Sequence, residues 1–320
     1  MEYSSMGNTF VSNKPYLGII PLPNAFDDIA KNDGINRDLE KYKFVLNVLG
    51  NESIDLTDIT QEVALTLFNS AMTHRNRIVA DGGIGINYSK LIKALNFIRV
   101  NSINNFVSLS LAFGYKVNTA KQLTKLYSLS GSGFDAIVDT PTRCKAAGLD
   151  IQTTTTNATT ITVQQAFKPK NSLFGISGEF LSTTEAGSIT LGTQNTSGTS
   201  GITAYESIAL AALNGISTGT YRNTGNASTS RTMEQDRNYN KKGVALLLSD
   251  AFHAYSDAYS KDLMYSYTTA KQDMSNTDSY VSIRLSSSAN SGENTKFREA
   301  WFISDGNATT AKNLSKHLNY

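Results

Sequence analysis

The sequence predicts a mainly β protein: an antiparallel β-sandwich of jelly-roll type, preceded by a small helical region and an extended N-terminal arm. Three observations predict it. Apolar residues recur at helical spacing from Asn36 to about residue 100, then at strict alternation after Asn105. Beyond that switch, short β-prone runs are divided by Gly, Ser, Asn and Thr at regular intervals. Hydrophobic residues make up 40% of the 320 and charged residues only 18%, so small polar residues must cover much of the surface, as on a β domain. The expected division is an arm over 1–34, a helical region over 35–104 and a sandwich with a C-terminal helix over 105–320.

Residues 1–34 contain Pro15, Pro21 and Pro23, which fix φ and remove backbone donors, so an extended segment is expected there. Between those prolines Tyr16, Leu17, Ile19, Ile20 and Leu22 form a run too apolar for a free tail. The run reads as a docking arm that lies on another subunit or another copy of the chain.

The first helix starts at the N-cap Asn36 and carries Leu39, Tyr42, Val45, Leu46 and Leu49 on one face until Gly50. Asp58 followed by Gln61 has the form of a capping box, and Ile59, Val63, Leu67 and Ala71 line a second helix to about Ala80. Gly82 and Gly83 stop it. A third helix, capped by Asn87 or Ser89, shows Leu91, Ile92, Leu95 and Ile98. The glycines of DGGIGIN follow a helix rather than a strand, which is the wrong context for a phosphate cradle.

After Asn105, Val107, Leu109, Leu111 and Phe113 alternate with Ser108, Ser110 and Ala112, which predicts one half-buried strand. In the hinge stretch KLYSLSGSGFDAIVDTPTRCKAAGLDI, Tyr127 and Leu129 share a strand face. Gly131 and Gly133 mark a tight turn, and Phe134, Ala136 and Val138 resume the alternation, giving a hairpin. Further strands are expected at 160–167, 173–180, 188–193, 203–213, 219–223, 228–236, 243–249, 263–268, 280–286 and 297–304. Asn307 then caps a final helix with Ala311, Leu314 and Leu318 on one face.

Several functions are excluded on composition. A net charge of +2 with no block of like charges offers no basic stripe, so nucleic acid is not an expected partner. Cys144 is the sole cysteine, which excludes an intrachain disulfide and reads as a small core residue. His74, His253 and His317 stand far apart in sequence, no zinc cluster or EF-hand pattern occurs, and no metal or cofactor is expected. No window approaches the ~18 apolar residues of a membrane span, and the first residues lack a leader pattern, so synthesis in a cytosol without membrane insertion is expected.

RNRIVADGGI, a helix, and then FVSLSLAFGYKVNTAKQLTKLYSLSGSGFDAIVDTPTRCKAAGLDI resemble a recurring module of tailed-bacteriophage virion proteins. The matching positions are Arg77, Ala80, Asp81, Gly82 and Gly83; then Gly114, Tyr115, Lys116, Lys125, Leu126, Tyr127 and Ser128; and finally Thr142, Arg143, Gly148 and Leu149. Asp81, Gly82, Gly83, Tyr127, Gly131, Gly133 and Arg143 are taken as its structural motif. FREAWFISDGNATTAKNLSKHLNY is similar to the end of the concanavalin A-like, laminin-G-type sandwich that follows the module in that family. One departure is that Gly133-Phe134-Asp135 stands where the family has G-D-F. The resemblance implies a structural protein of a virion tail, fibre or head appendage, located in the virion and assembled in the host cytoplasm. It also implies other virion proteins and copies of this chain as partners, and a lectin-like face for host-surface glycans.

Sandwiches of this class include glycosidases, which would need paired acids on one strand face. TMEQDRN offers Glu234 and Asp236 in line with Thr232 and Asn238, but Asn238 replaces the third carboxylate, and an ordinary solvated strand accounts for the run. Glu179, Glu185 and Glu299 stand alone in sequence. No catalytic residue is assigned, and a carbohydrate-active hydrolase or a free lectin remain the rival readings. For glycans, His253, Tyr255 and Tyr259 supply rings beside polar groups, against the simpler reading of tyrosines covering a hairpin edge.

Overall fold

The computed structural model of the protein describes residues 37–167, 172–182, 185–194, 206–212, 216–223, 228–234, 242–248, 251–256, 263–266, 279–287 and 292–318. The arm residues Tyr16, Leu17, Ile19, Ile20 and Leu22 lie outside them. The helical region comprises α1 (Arg37–Asn51), α2 (Gln61–Ala80) and α3 (Tyr88–Val100), with a short strand β1 (Ile84–Ile86) between the last two. The β region runs through β2 (Phe106–Ser110), β3 (Phe113–Val117), β4 (Leu123–Leu126), β5 (Ala136–Val138), β6 (Cys144–Ala147) and β7 (Asp150–Thr153). It continues with β8 (Thr159–Val163), β9 (Leu173–Phe180), β10 (Gly187–Gln194), β11 (Glu206–Ala212), β12 (Ile216–Asn223) and β13 (Ser228–Glu234). It ends with β14 (Lys242–Leu248), β15 (Ala251–Ser256), β16 (Leu263–Ser266), β17 (Tyr280–Ser287) and β18 (Thr295–Ile303), before α4 (Ala308–Leu318).

Local chemistry sets the helix ends. The cap of α2 is Thr60, whose Oγ1 accepts from the Val63 N–H at 3.3 Å. The expected capping box at Asp58 is displaced because that carboxylate accepts instead from Arg99 Nη2 at 2.7 Å. At its other end Gly82 has φ +72°, which lets the Gly83 N–H reach back to the Ile78 carbonyl at 2.8 Å, the bond that closes a glycine-stopped helix. Asn87 caps α3 by accepting from the Lys90 N–H, and Asn307 caps α4 by accepting from the Thr310 N–H.

The strands form two antiparallel sheets. The first has the order β1-β3-β4-β5-β8-β17-β10-β11-β12-β13; the second runs β16-β15-β14-β9-β18-β7-β6, with β2 pairing β18 beside β7. Ile189, Leu191 and Ile283 of the first sheet and Phe174, Ile176 and Phe302 of the second belong to one buried core. The chain is therefore a mainly β protein whose two antiparallel sheets pack face to face as a sandwich. A second core lies on the outer face of the second sheet, where Leu173, Trp301 and Ile303 meet Phe97 of α3 and Leu314 and Leu318 of α4. Trp301 sits edge-on to Phe97 at 5.1 Å and stacks on Phe106 at 5.7 Å. At Gly175 an added Cβ would stand 2.7 Å from a methyl of Leu314, so the missing side chain is what lets α4 rest on β9.

Two further sequence expectations change. The run from Val107 to Phe113 is not one strand: the Gly114 N–H bonds the Leu111 carbonyl at 3.1 Å, Gly114 takes φ +111°, and β2 and β3 part into different sheets. Nor is β2 half-buried, because the helices cover its outer face and Ser108 and Ser110 are as buried as Val107 and Leu109. The expected hairpin exists as β4 paired with β5, Leu126 opposite Ala136, but Tyr127 and Leu129 lie past the strand end. Instead of a tight turn, residues 127–135 form a longer connection with a 3-10 turn at Ser132–Phe134, held by hydrogen bonds to Asp135.

Candidate functional site

The last turn of α2, the hairpin of β3 and β4, and the 127–135 connection meet in an interlocked set of charges. Arg77 projects from α2 and places Nη1 2.9 and 2.8 Å from the two carboxylate oxygens of Asp135, while its Nη2 donates to the Ser128 carbonyl at 2.7 Å. Asp135 is buried and also accepts from the Ser128 N–H at 3.0 Å and pairs with Lys125 at 3.0 Å. Lys125 reaches on to Asp81 at 2.9 Å, and Asp81 accepts the Tyr127 hydroxyl at 2.7 Å. Lys116 donates to the Asp81 carbonyl at 2.6 Å. Above the Tyr127 ring stand the Lys125 ammonium, 4.8 Å from its centre, and the Arg77 guanidinium carbon, 5.4 Å away. A Cβ at Gly83 would collide with that ring, so only glycine allows the approach.

These contacts and the burial around them move the titrating groups away from their ordinary values. Hydrogen bonds from Lys125 and Tyr127 bring the Asp81 carboxyl down to about 2. Burial, reinforced by Asp81, pushes the Tyr127 phenol above its usual range. Burial also lowers His74 to about 4. Its Nε2 lies 2.7 Å from the Phe113 carbonyl and its Nδ1 3.4 Å from Arg77, which fits a neutral ring with the proton on Nε2. Every charged head in the set meets an opposite one, so the arrangement fixes the angle between α2 and the sandwich rather than offering a free acid or nucleophile.

Beside this staple lies an open groove of about 670 Å³. One wall is the exposed face of α2, where Thr66, Asn69, Ser70 and Thr73 recur at helical spacing and Arg77 closes the end. The floor is apolar, made by Leu95 and Ile98 of α3 with Phe106 and Leu129, and Ser130 and Gly131 form the far lip. Asn69, Ser70 and Thr73 make no side-chain hydrogen bond among the described residues. The groove thus combines apolar area with polar groups still open to a ligand.

Of the motif residues, the structure brings together Asp81, Gly83 and Tyr127; Gly82 turns the chain out of α2, and Gly131, at φ +116°, lines the groove. Gly133 packs against the Gln165 side chain. Arg143 is not a partner in the staple: it sits in a 3-10 turn (Pro141–Arg143) and donates to the Ala158 carbonyl at 2.6 Å. Sequence reasoning missed Asp135 as the anchor, although its displacement from the family's usual order was the available signal. It also missed the groove, whose α2 wall resembles any solvated helix face.

Among the other singled-out residues, His253 and Tyr255 lie on β15, opposite Leu246 and Val244 of β14, while Tyr259 lies outside the described residues. Glu234 ends β13, and Asp236 and Asn238 also lie outside. Glu299, alone in sequence, is buried in company: it accepts from Trp301 Nε1 and lies 2.9 Å from His317 Nε2, whose ring stacks on Phe97 at 4.8 Å. The His317 pairing and the Trp301 bond outweigh burial and hold the Glu299 carboxyl below its usual range. Cys144 is buried and its thiol is raised to about 12, an inert core position.

No family model matches the chain, and no curated protein matches it. Solved structures do. The exoplasmic/lumenal domain of VIP36, in its Ca2+/Man3GlcNAc-bound form, is 11% identical, covering 60% of this chain and 91% of that one at a TM-score of 0.40. The legume lectin-like domain from Entamoeba histolytica is 7% identical, covering 51% and 87% at 0.38. The CBM2 module of the evolved Dit of Lactobacillus casei BL23 phage J-1 is 12% identical, covering 51% and 80% at 0.37.

Proposed function

We propose that this chain is a structural component of a tailed-bacteriophage virion, in a tail, fibre or head appendage, that displays its sandwich outward for adhesion to host-surface glycans. One observation carries the reading. Arg77, Asp81, Gly83, Lys116, Lys125 and Tyr127, which carry the sequence resemblance to phage virion modules, converge on a single staple between helices and sandwich. Scattered chance matches would have no reason to meet in space; a module inherited as a unit would. In this reading the protein is assembled in the host cytoplasm, works as a homo-oligomer whose several weak sites reinforce one another, and meets other virion proteins through its N-terminal region. The glycan face is assigned to the region of His253, Tyr255 and Tyr259.

Mass spectrometry of purified particles tests the structural role, with the protein expected among the virion components. Its absence from particles would remove the reading. Screening the purified chain on a glycan array tests the adhesive role separately. A positive glycanase assay that Glu234→Gln or Asp236→Asn abolishes would put a hydrolase in its place.

A further inference from the structure

We infer that the groove beside the staple is a binding site for a neutral saccharide, built without His253, Tyr255 or Tyr259. The inference rests on the glycan-adhesion reading and adds a site to it. The groove holds about 670 Å³, within the roughly 300–1,000 Å³ of small-ligand sites. Its walls are fixed before any ligand arrives, because the Arg77–Asp135 pair ties α2 to the connection that forms the far lip.

Three observations select this class of ligand. The first is charge. The titratable groups that line the groove are Arg77 and His74. Arg77 is engaged by Asp135 and the Ser128 carbonyl, and His74 Nε2 lies 2.7 Å from the Phe113 carbonyl. A phosphate, sulfate or carboxylate would find no unpaired cation there, and a cationic ligand would meet no acid.

The second is which polar groups remain open. On the far lip the N–H groups of Leu129, Ser130 and Gly131 already donate, to Ser108 Oγ, Ser128 Oγ and the Ser128 carbonyl. On the opposite wall α2 keeps its main-chain bonds inside the helix. An extended peptide, which docks through a row of main-chain bonds, has no edge to join. The open groups are the amide of Asn69 and the hydroxyls of Ser70 and Thr73, all exposed and each able to donate and to accept. Asn69 and Thr73, one helical turn apart, stand in line along the wall.

The third is the floor. Leu95, Ile98 and Leu129 pack against the core from one side and stay half-buried. An acyl chain would cover them, but it would also strip water from Asn69, Ser70 and Thr73 and return no hydrogen bond. A sugar ring, with hydroxyls around its rim and C–H groups on its faces, answers both surfaces at once.

The full chain is screened on an array of neutral and anionic oligosaccharides, and the tightest neutral hit is titrated by calorimetry. Binding is expected among the neutral sugars, with an affinity that does not fall as salt is raised. Asn69→Ala with Thr73→Ala is expected to weaken it about tenfold or more. Ser70→Trp, which fills the groove, should abolish it, while Lys312→Trp on the exposed face of α4 should leave it intact. All four positions are exposed on helices, and the urea midpoint of each variant reports that it is folded. Undiminished binding by the groove variants would overturn the inference and leave the adhesive reading standing, as would hits confined to anionic sugars. An array without any hit would overturn both.

Discussion

Arg77 Nη1 stands 2.8 Å from Asp135 Oδ2, a contact between the last turn of α2 and the loop that leads into β5. The carboxylate is almost fully covered while the guanidinium keeps partial contact with water. Removing either partner leaves the other inside with less compensation. Asp135→Ala, which strands Arg77 and Lys125 together and frees the Ser128 N–H, is expected to destabilise the protein by about 3–5 kcal/mol. The midpoint of urea unfolding measures it, and a loss below about 1 kcal/mol would reduce the staple to an ordinary surface pair.

Stability should fall in mild acid, and His74 should account for part of the fall. Its ordinary value is 6.5 and burial lowers it to about 4 in the folded protein, so between those values the unfolded chain binds the extra proton. The contribution is therefore intact above pH 6.5 and lost progressively as pH drops toward 4. His74→Gln, which can still donate to the Phe113 carbonyl, is expected to flatten the pH dependence of the unfolding free energy across that window. An unchanged slope would show that other groups set it.

Asp81, brought down to about 2 from an ordinary 3.8, acts in a lower window. Its contribution is present above 3.8 and disappears as pH falls through 2. Asp81→Asn should lower stability at neutrality, where that contribution is full, and lack the further acid-limb loss, so that the two chains converge near pH 2. Denaturation followed between pH 4 and 2 distinguishes the two chains.

Trp301 is the sole tryptophan and is packed between the second sheet and the helices, so its fluorescence reports whether that layer is docked. Leu314→Ala opens a cavity where α4 meets Gly175 and is expected to cost about 2–5 kcal/mol. If α4 loosens, the emission shifts to the red before global unfolding. A blue, native-like spectrum up to the main transition would mean that the helix and the sandwich unfold as one unit.

On the proposed virion reading, deleting residues 1–34 is expected to leave a soluble, folded β domain that no longer enters particles. Quantifying the truncated protein in purified virions checks the outcome. Normal incorporation would move the docking surface to the sandwich.

The helices were the most readable part of the chain because their signals are local. Asn87, three residues before the N–H that it caps, and Gly82, in the left-handed conformation after α2, act over one turn. The break between β2 and β3 was hidden because the alternation continues through the turn at Leu111–Gly114. Ser108 and Ser110 looked solvent-facing, yet Ser110 donates to the Arg298 carbonyl inside the protein, a partner no nearby sequence announces. Asp135 has the same character: its meaning depends on Arg77, one helix and four strands earlier in the chain. The groove was illegible for a different reason, since Thr66, Asn69, Ser70 and Thr73 form a wall only once Leu95 and Phe106 are set opposite them.

The placement of β18 has a consequence for how the protein comes off the ribosome. Among the described residues β2 finds its only strand partner in β18, Ser110 lying opposite Glu299, and the same late strand completes the pairing of β9. During synthesis the early strands of the second sheet must therefore wait, edges open, until nearly the whole sandwich has been translated. Such non-local closure is slow, and it exposes the nascent chain to aggregation that a design with neighbouring strands would avoid. Closure of this sheet therefore waits for residues 295–303, and a ribosome stalled before residue 295 would hold a chain whose β2 and β9 remain open to mispairing.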